Sequence, residues 1–188
     1  TFFGIDAGNL TNTANYNTGV GFNALKALTT GLANTGVGRL AGTLITTGQF
    51  NTAIGYASLA TASTQSDNVA IGSQAFNAWT GSSGVAIGSL ALLNATTGTG
   101  VIGIGTSVMS NHAGANYATG VGNACLSALT TGDNNSAFGR NALGGVTTGE
   151  ENTGCGIIAG QVITIGSRNT FLGSQSNAGS NALTEATA

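Results

Sequence analysis

Residues 51–59 read Asn51-Thr52-Ala53-Ile54-Gly55-Tyr56-Ala57-Ser58-Leu59. The first five alternate: Thr52 and Ile54 point one way, and Asn51, Ala53 and Gly55 the other, which is the two-residue period of a strand. The same signature recurs as Asn17-Thr18-Gly19-Val20-Gly21 and Asn34-Thr35-Gly36-Val37-Gly38, then from Asn68 to Gly72, Asn135 to Gly139, Asn152 to Gly156 and Asn169 to Gly173. With the weaker copies included, the closing glycines are Gly4, Gly21, Gly38, Gly55, Gly72, Gly88, Gly105, Gly122, Gly139, Gly156 and Gly173. Nine of the ten intervals are 17 residues and one is 16, so residues 1–188 form a single repeat array.

Columns read down the repeat assign a role to each position. The residue before the anchor glycine is always apolar, from Phe3 and Val20 through Ile54 and Ile104 to Cys155 and Leu172. Three places after the anchor stands a small residue such as Ala24, Ser58 or Cys125. The next column alternates between large residues (Leu25, Leu59, Phe76, Met109) and Gly8, Gly42 and Gly160. A looser apolar column holds Leu28, Ile45, Leu129, Val146 and Ile163, and a Thr-Thr-Gly corner such as Thr29-Thr30-Gly31 follows it.

No window carries apolar residues at helical spacing over ten residues without a glycine break. Short β-branched runs between glycine corners predict an all-β fold, a β-solenoid (β-roll) of about eleven 17-residue coils. At about 4.8 Å between strands the rod is roughly 50 Å long. The anchor glycine is expected at a corner that needs positive φ or close backbone approach. In the 16-residue copy the missing residue is placed between the Phe76 and Ala78 columns. The Asn column (Asn17, Asn34, Asn51, Asn68, Asn135, Asn152, Asn169) is read as a stacked amide ladder.

Composition excludes several classes of function. Charged residues make up 5% of the 188-residue chain, while glycine supplies 32 residues and proline none. Four scattered cations and a net charge of −2 argue against nucleic-acid binding. The chain is 41% hydrophobic, unlike disordered sequences. No apolar run is long enough to predict membrane insertion, and the start lacks the pattern of a signal peptide, so an export signal is expected outside this sequence. Every charge falls one, two or five places after an anchor, or five or six before the next, and these are read as solvated corners.

So much neutral surface predicts association of several solenoids along their length. The two ends fall at nearly the same repeat phase, which suggests end-to-end stacking as the alternative. The runs Asn51 to Leu59 and Asn169-Thr170-Phe171-Leu172-Gly173-Ser174-Gln175, with their Thr-Thr-Gly links, resemble repeats of large bacterial and phage surface proteins, which often end in an endosialidase-type intramolecular chaperone. The Val-Ala-Ile-Gly copies (Val69 to Gly72, Val85 to Gly88) resemble the head of trimeric autotransporter adhesins, built of left-handed β-rolls assembled as trimers. The 17-residue repeat is longer than the adhesin-head repeat, and no chaperone domain is present in the sequence. The resemblance implies a homotrimer at a cell surface or on a virion.

No residue is assigned a catalytic, cofactor-binding or metal-binding role. Gly98-Thr99-Gly100-Val101-Ile102-Gly103 matches the dinucleotide fingerprint, but its context is the repeat rather than a strand followed by a helix. Cys125 and Cys155 are read as buried free thiols in two inward columns, too far apart for a disulfide. His112, the single histidine, has no second histidine or nearby acid and is read as a packed or corner residue. Asp6, Asp67 and Asp133 do not line up as a calcium ladder. The aromatics Tyr16, Phe22, Tyr56 and Trp79 are placed on outer corners, where a glycan receptor could be contacted.

The expected function is a structural and adhesive segment of an extracellular fibre, such as a phage tail fibre or bacterial appendage, and not an enzyme. The alternatives are a self-polymerising filament subunit and an ice-binding solenoid. The latter is suggested by threonines eight places before the anchor at Thr13, Thr30, Thr47, Thr64, Thr80, Thr97, Thr131 and Thr148.

Overall fold

The computed structural model describes residues 1–8, 15–177 and 186–187. Twelve short strands occur: β1 (Phe2–Phe3), β2 (Thr18–Val20), β3 (Thr35–Val37), β4 (Thr52–Ile54), β5 (Val69–Ile71), β6 (Val85–Ile87), β7 (Ile102–Ile104), β8 (Thr119–Val121), β9 (Ser136–Phe138), β10 (Thr153–Cys155), β11 (Asn169–Leu172) and β12 (Ala186–Thr187). They stack in sequence order into one parallel sheet. The register carries the repeat directly: Thr35 pairs with Thr52 and Val37 with Ile54, 17 residues on. Val69 pairs with Val85, 16 residues on. Among the described residues there is no helix. The chain is an all-β β-solenoid with ten complete turns between the eleven anchor glycines.

The strand alternation resolves in one direction along the whole rod. Ala53, Ala70, Ala86 and Ala137, the middle residues of their strands, are fully buried, and a buried Asn precedes or begins most of the strands, as Asn51 does before β4. The flanking Val, Ile and Phe residues point outward, with Ile54 37% and Phe138 45% exposed. The apolar column before the anchor is therefore external, not internal. Volume is the reason. The large column four places after the anchor already fills the coil, so only Ala or Gly fits opposite. A Cβ on Gly36 would lie 2.9 Å from Leu25 Cγ, and one on Gly154 would lie 2.7 Å from Leu143 Cγ. At Gly160, where the large column is glycine, the inward strand residue grows to compensate, since Gly160 faces the fully buried Phe171; the space at Gly42 is filled by Leu25 and Ile45.

The anchor glycines meet both expected constraints. Gly38 has φ +130°, and an added Cβ would lie 2.7 Å from the Gly55 carbonyl oxygen in the next coil. The 16-residue coil corrects the predicted site of the deletion. Phe76 N–H donates to Ala91 O and Ala78 N–H to Leu93 O, just as Leu25 does to Ala41 and Ala27 to Thr43. Trp79 occupies the column of Leu28, and Thr80 N–H donates to Thr96 O as Thr29 N–H does to Thr46 O. Gly81 then stacks directly on Gly98. The missing residue is the second threonine of the corner, an exposed position in other coils (Thr30, Thr47), so no core column is interrupted.

The asparagines form the amide ladder. Asn51 Nδ2 donates to Asn34 Oδ1 at 3.0 Å and to the Gln65 carbonyl at 2.8 Å. Its Oδ1 accepts from the Asn68 N–H at 3.2 Å and from Asn68 Nδ2 at 3.1 Å. The Asn51 side chain thus joins the amide of the preceding coil to backbone groups of the next.

Two substitutions test this account. Gly38→Ala is expected to lose about 2–4 kcal/mol through backbone strain plus collision. Gly173→Ala, at φ +104° with nothing near its added Cβ, should lose clearly less in the same urea titration. Asn51→Ala strands buried partners in both adjoining coils and should cost about 2–4 kcal/mol in melting experiments.

Candidate functional site: the outward strand face and the interior polar column

Each coil places two side chains outward from its strand. One column runs from Thr18 through Val69, Val85 and Ile102 to Thr170; the other holds the residue before the anchor. Together they form a flat face with no charged residue on either column from Thr18 to Leu172. Cys155 lies in this face between Phe138 and Leu172 and is exposed, which corrects its expected burial. Cys125 is buried, as expected; its thiol donates to Ala137 O at 3.3 Å, and burial pushes its pKa up to about 12. Both thiols are free.

The charges keep to the corners. Lys26, Arg39, Arg140, Arg168, Asp6, Asp67, Glu150 and Glu151 are exposed, and Lys26 pairs with Asp6 at 3.4 Å in solvent, a contact of little energetic weight. Asp133 is half-buried because its Oδ1 accepts from the Asn116 N–H at 2.7 Å. Glu185 and Thr13 lie outside the described residues. Beside the strand face, the Arg39 guanidinium lies 5.9 Å from the Phe22 ring centre and 5.4 Å from that of Tyr56. Tyr16, Phe22 and Tyr56 are exposed as expected.

Trp79 is not on an outer corner. It is fully buried, stacks on Phe76 at 4.3 Å, and its Nε1–H donates to Asn68 Oδ1 at 2.9 Å. Here Gly84, Val101 and Ala118 replace the Asn of the ladder, and the indole with the Gly84 N–H closes the exposed end of Asn68. The ladder resumes at Asn135. His112 lies in the same gap, fully buried, with its ring centre 6.1 Å from Trp79. Its Nε2 bonds the Ala115 carbonyl at 2.8 Å, while Nδ1 has no partner among the described residues. Burial holds the imidazole below its ordinary pKa, against the raising effects of the backbone hydrogen bonds and of Asp133.

The fingerprint glycines fall into repeat positions. Gly98 occupies the corner column, Gly100 has φ +65°, and Gly103 is the inward residue of β7 against Leu92. A shallow surface cleft is lined by Glu150, Glu151, Ser167 and Arg168, so it carries both signs of charge. Among the described residues, no group of three His, Cys, Asp or Glu is placed to hold a metal ion. None of the described helices could cross a membrane, since there are none. Of the threonines proposed as a ladder, Thr30, Thr47, Thr64, Thr97, Thr131 and Thr148 are exposed. Thr80 falls instead in the neighbouring column, where hydroxyls such as those of Thr46, Thr80 and Thr130 bond the carbonyl of the next coil. Compared with family models, curated proteins and solved structures, the chain matches none.

The buried imidazole sets a pH dependence. The folded state holds His112 neutral, whereas the unfolded chain takes up the proton near pH 6.5. Its contribution to stability is therefore complete above about pH 6.5 and is lost as pH falls through the lowered folded value. Melting temperature should begin to drop as pH falls below about 6.5, while the carboxylates are still ionised. His112→Leu, which matches the aliphatic residues elsewhere in this column, should flatten that slope.

Proposed function

We propose that this chain is a structural, adhesive segment of an extracellular fibre: a rigid rod that extends or presents a receptor-binding end, self-associated along its length. The observation that carries the reading is the strand face. A parallel sheet with an apolar outer column uncovered from coil to coil is a surface built for association, since monomers rarely expose such continuous patches. Rigidity has its own support. Each coil is tied to the next by backbone hydrogen bonds such as Gly38 N–H to Val20 O at 2.7 Å, and by the amide ladder inside.

The same features weigh against the other readings. Acids and bases are dispersed over the corners, so the described residues bring together no nucleophile with its base. In the column beside the exposed threonines the hydroxyls are tied to carbonyls of the next coil, including those of the exposed Thr29, Thr80 and Thr96. An ice plane is better met by two parallel files. A glycan or other cell-surface receptor is the partner class this reading assigns to the fibre, in keeping with the exposed Tyr16, Phe22 and Tyr56.

Mass measurement by light scattering, combined with small-angle X-ray scattering, tests the proposal. The expected result is a discrete trimer of elongated shape. Open-ended polymers would favour the filament subunit, and a compact monomer at micromolar concentration would remove the fibre reading.

A further inference from the structure

The strand face is more specific than a generic sticky surface. One apolar side chain per coil stands on it without interruption from Val20 to Leu172, with Ile54, Ile71, Ile87 and Ile104 at the centre. Of the eighteen large apolar residues exposed among the described residues, eleven lie on this face or on the flank just past the anchor glycines. Exposure is therefore concentrated on one side of the rod. The interior covers only one face of the sheet, and purely parallel sheets are found with both faces covered.

We infer that the strand face packs on the strand face of a second copy of this chain, neighbouring rods of the oligomer running parallel and matched coil to coil. The inference rests on the fibre reading for the need to associate, and it adds which surface meets which. Three observations select a second copy as the occupant. A flat face without charge is complementary to itself. Its size is of the right order: nine coil steps by two pairs of residues give roughly 43 Å by 13 Å, about 560 Å² on each chain, close to the lower end of a stable interface. Its flanks carry the orientation. With rods related by an axis along their length, the flank bearing Arg140 meets the opposite flank of the partner, where Glu151 stands one coil along and Arg168 two. In the antiparallel arrangement each flank meets itself. Full overlap of the eleven coils then sets Arg39, at the third anchor, opposite Arg140, at the ninth. Opposite charges favour the first arrangement, and like charges oppose the second.

Two measurements on the full chain test this. Ile54→Asp and Ile104→Asp place a charge on outward positions that are each 37% exposed, so folding should survive, as far-UV circular dichroism would verify. Each should weaken self-association by about tenfold or more in sedimentation equilibrium, because the charge must be buried for the rods to meet. Thr64→Asp, on an exposed corner away from the strands, should leave assembly unchanged. If an aspartate variant misfolds, the double variant Ile54→Thr, Ile104→Thr keeps a residue type already present in the neighbouring outward column and should still weaken assembly.

The second measurement uses Cys155 as a reporter, since Cys125 is buried. A short bis-maleimide should link the unaltered chain into covalent dimers, and Cys155→Ser should abolish the link. Antiparallel rods would hold the two Cys155 residues eight coil steps apart, about 38 Å. Assembly that persists in the aspartate variants overturns the assignment of the face. An assembled parent without Cys155 linkage overturns the parallel arrangement. A monomeric parent overturns the fibre reading itself, and so is distinguishable from both.

Discussion

A chain that closes a turn in seventeen residues and returns one strand spacing along must bend sharply several times in every coil. That closure governs the rest of the molecule. Among the described residues, twenty-seven non-glycine residues have φ between 45° and 63°, and they fall in three recurring columns that include Leu25, Leu59, Phe76, Leu40 and Tyr117. Left-handed backbone at such residues costs roughly 1–2 kcal/mol each. It persists because neighbouring coils over-determine it. The Leu25 N–H donates to Ala41 O at 3.0 Å and the Leu40 N–H to Phe22 O at 2.9 Å, so the bent residues beyond the first coil are held in register from the adjacent coil. Where even that conformation is too crowded, at the anchor, only glycine remains.

The register, the strands and the anchor glycines were legible in the sequence because they depend on the chain's period and on residues with one physical role. Which side of the strand faces inward was not. Ala53 and Ile54 are both apolar, so alternation shows that they oppose each other without showing which is buried. The decision came from volume. The Leu25–Leu59–Phe76 column fills the interior and sends the larger strand residues out, taking Cys155 with them. The left-handed leucines carried no warning either, since leucine has no propensity for that backbone and adopts it here under tertiary constraint. Trp79 is the converse case. Its isolation in the sequence suggested an outer corner, whereas its indole N–H is a buried hydrogen-bond donor to Asn68. The useful signal was the nearby loss of Asn at Gly84, Val101 and Ala118.

That loss divides the interior into two polar stretches separated by a middle zone of different chemistry. Asn17 to Asn68 and Asn135 to Asn169 each join successive coils through amides. Between them, Phe76, Trp79, Met109 and His112 fill the interior with larger and softer groups. Because coils interact chiefly with their neighbours, such a zone has a stability of its own. The rod is uniform outside and heterogeneous within.

The sixteen-residue coil has a wider consequence. Its shortfall is absorbed at a solvent-facing corner, while the sheet and the large apolar columns pass through it in register. Cross-section and length are therefore set independently. The columns fix the first, and the number of coils fixes the second in increments of about 4.8 Å. Gain or loss of a whole coil lengthens or shortens the molecule while each column still stacks on its own column, so the fold behaves as a ruler whose graduations are written into the chain.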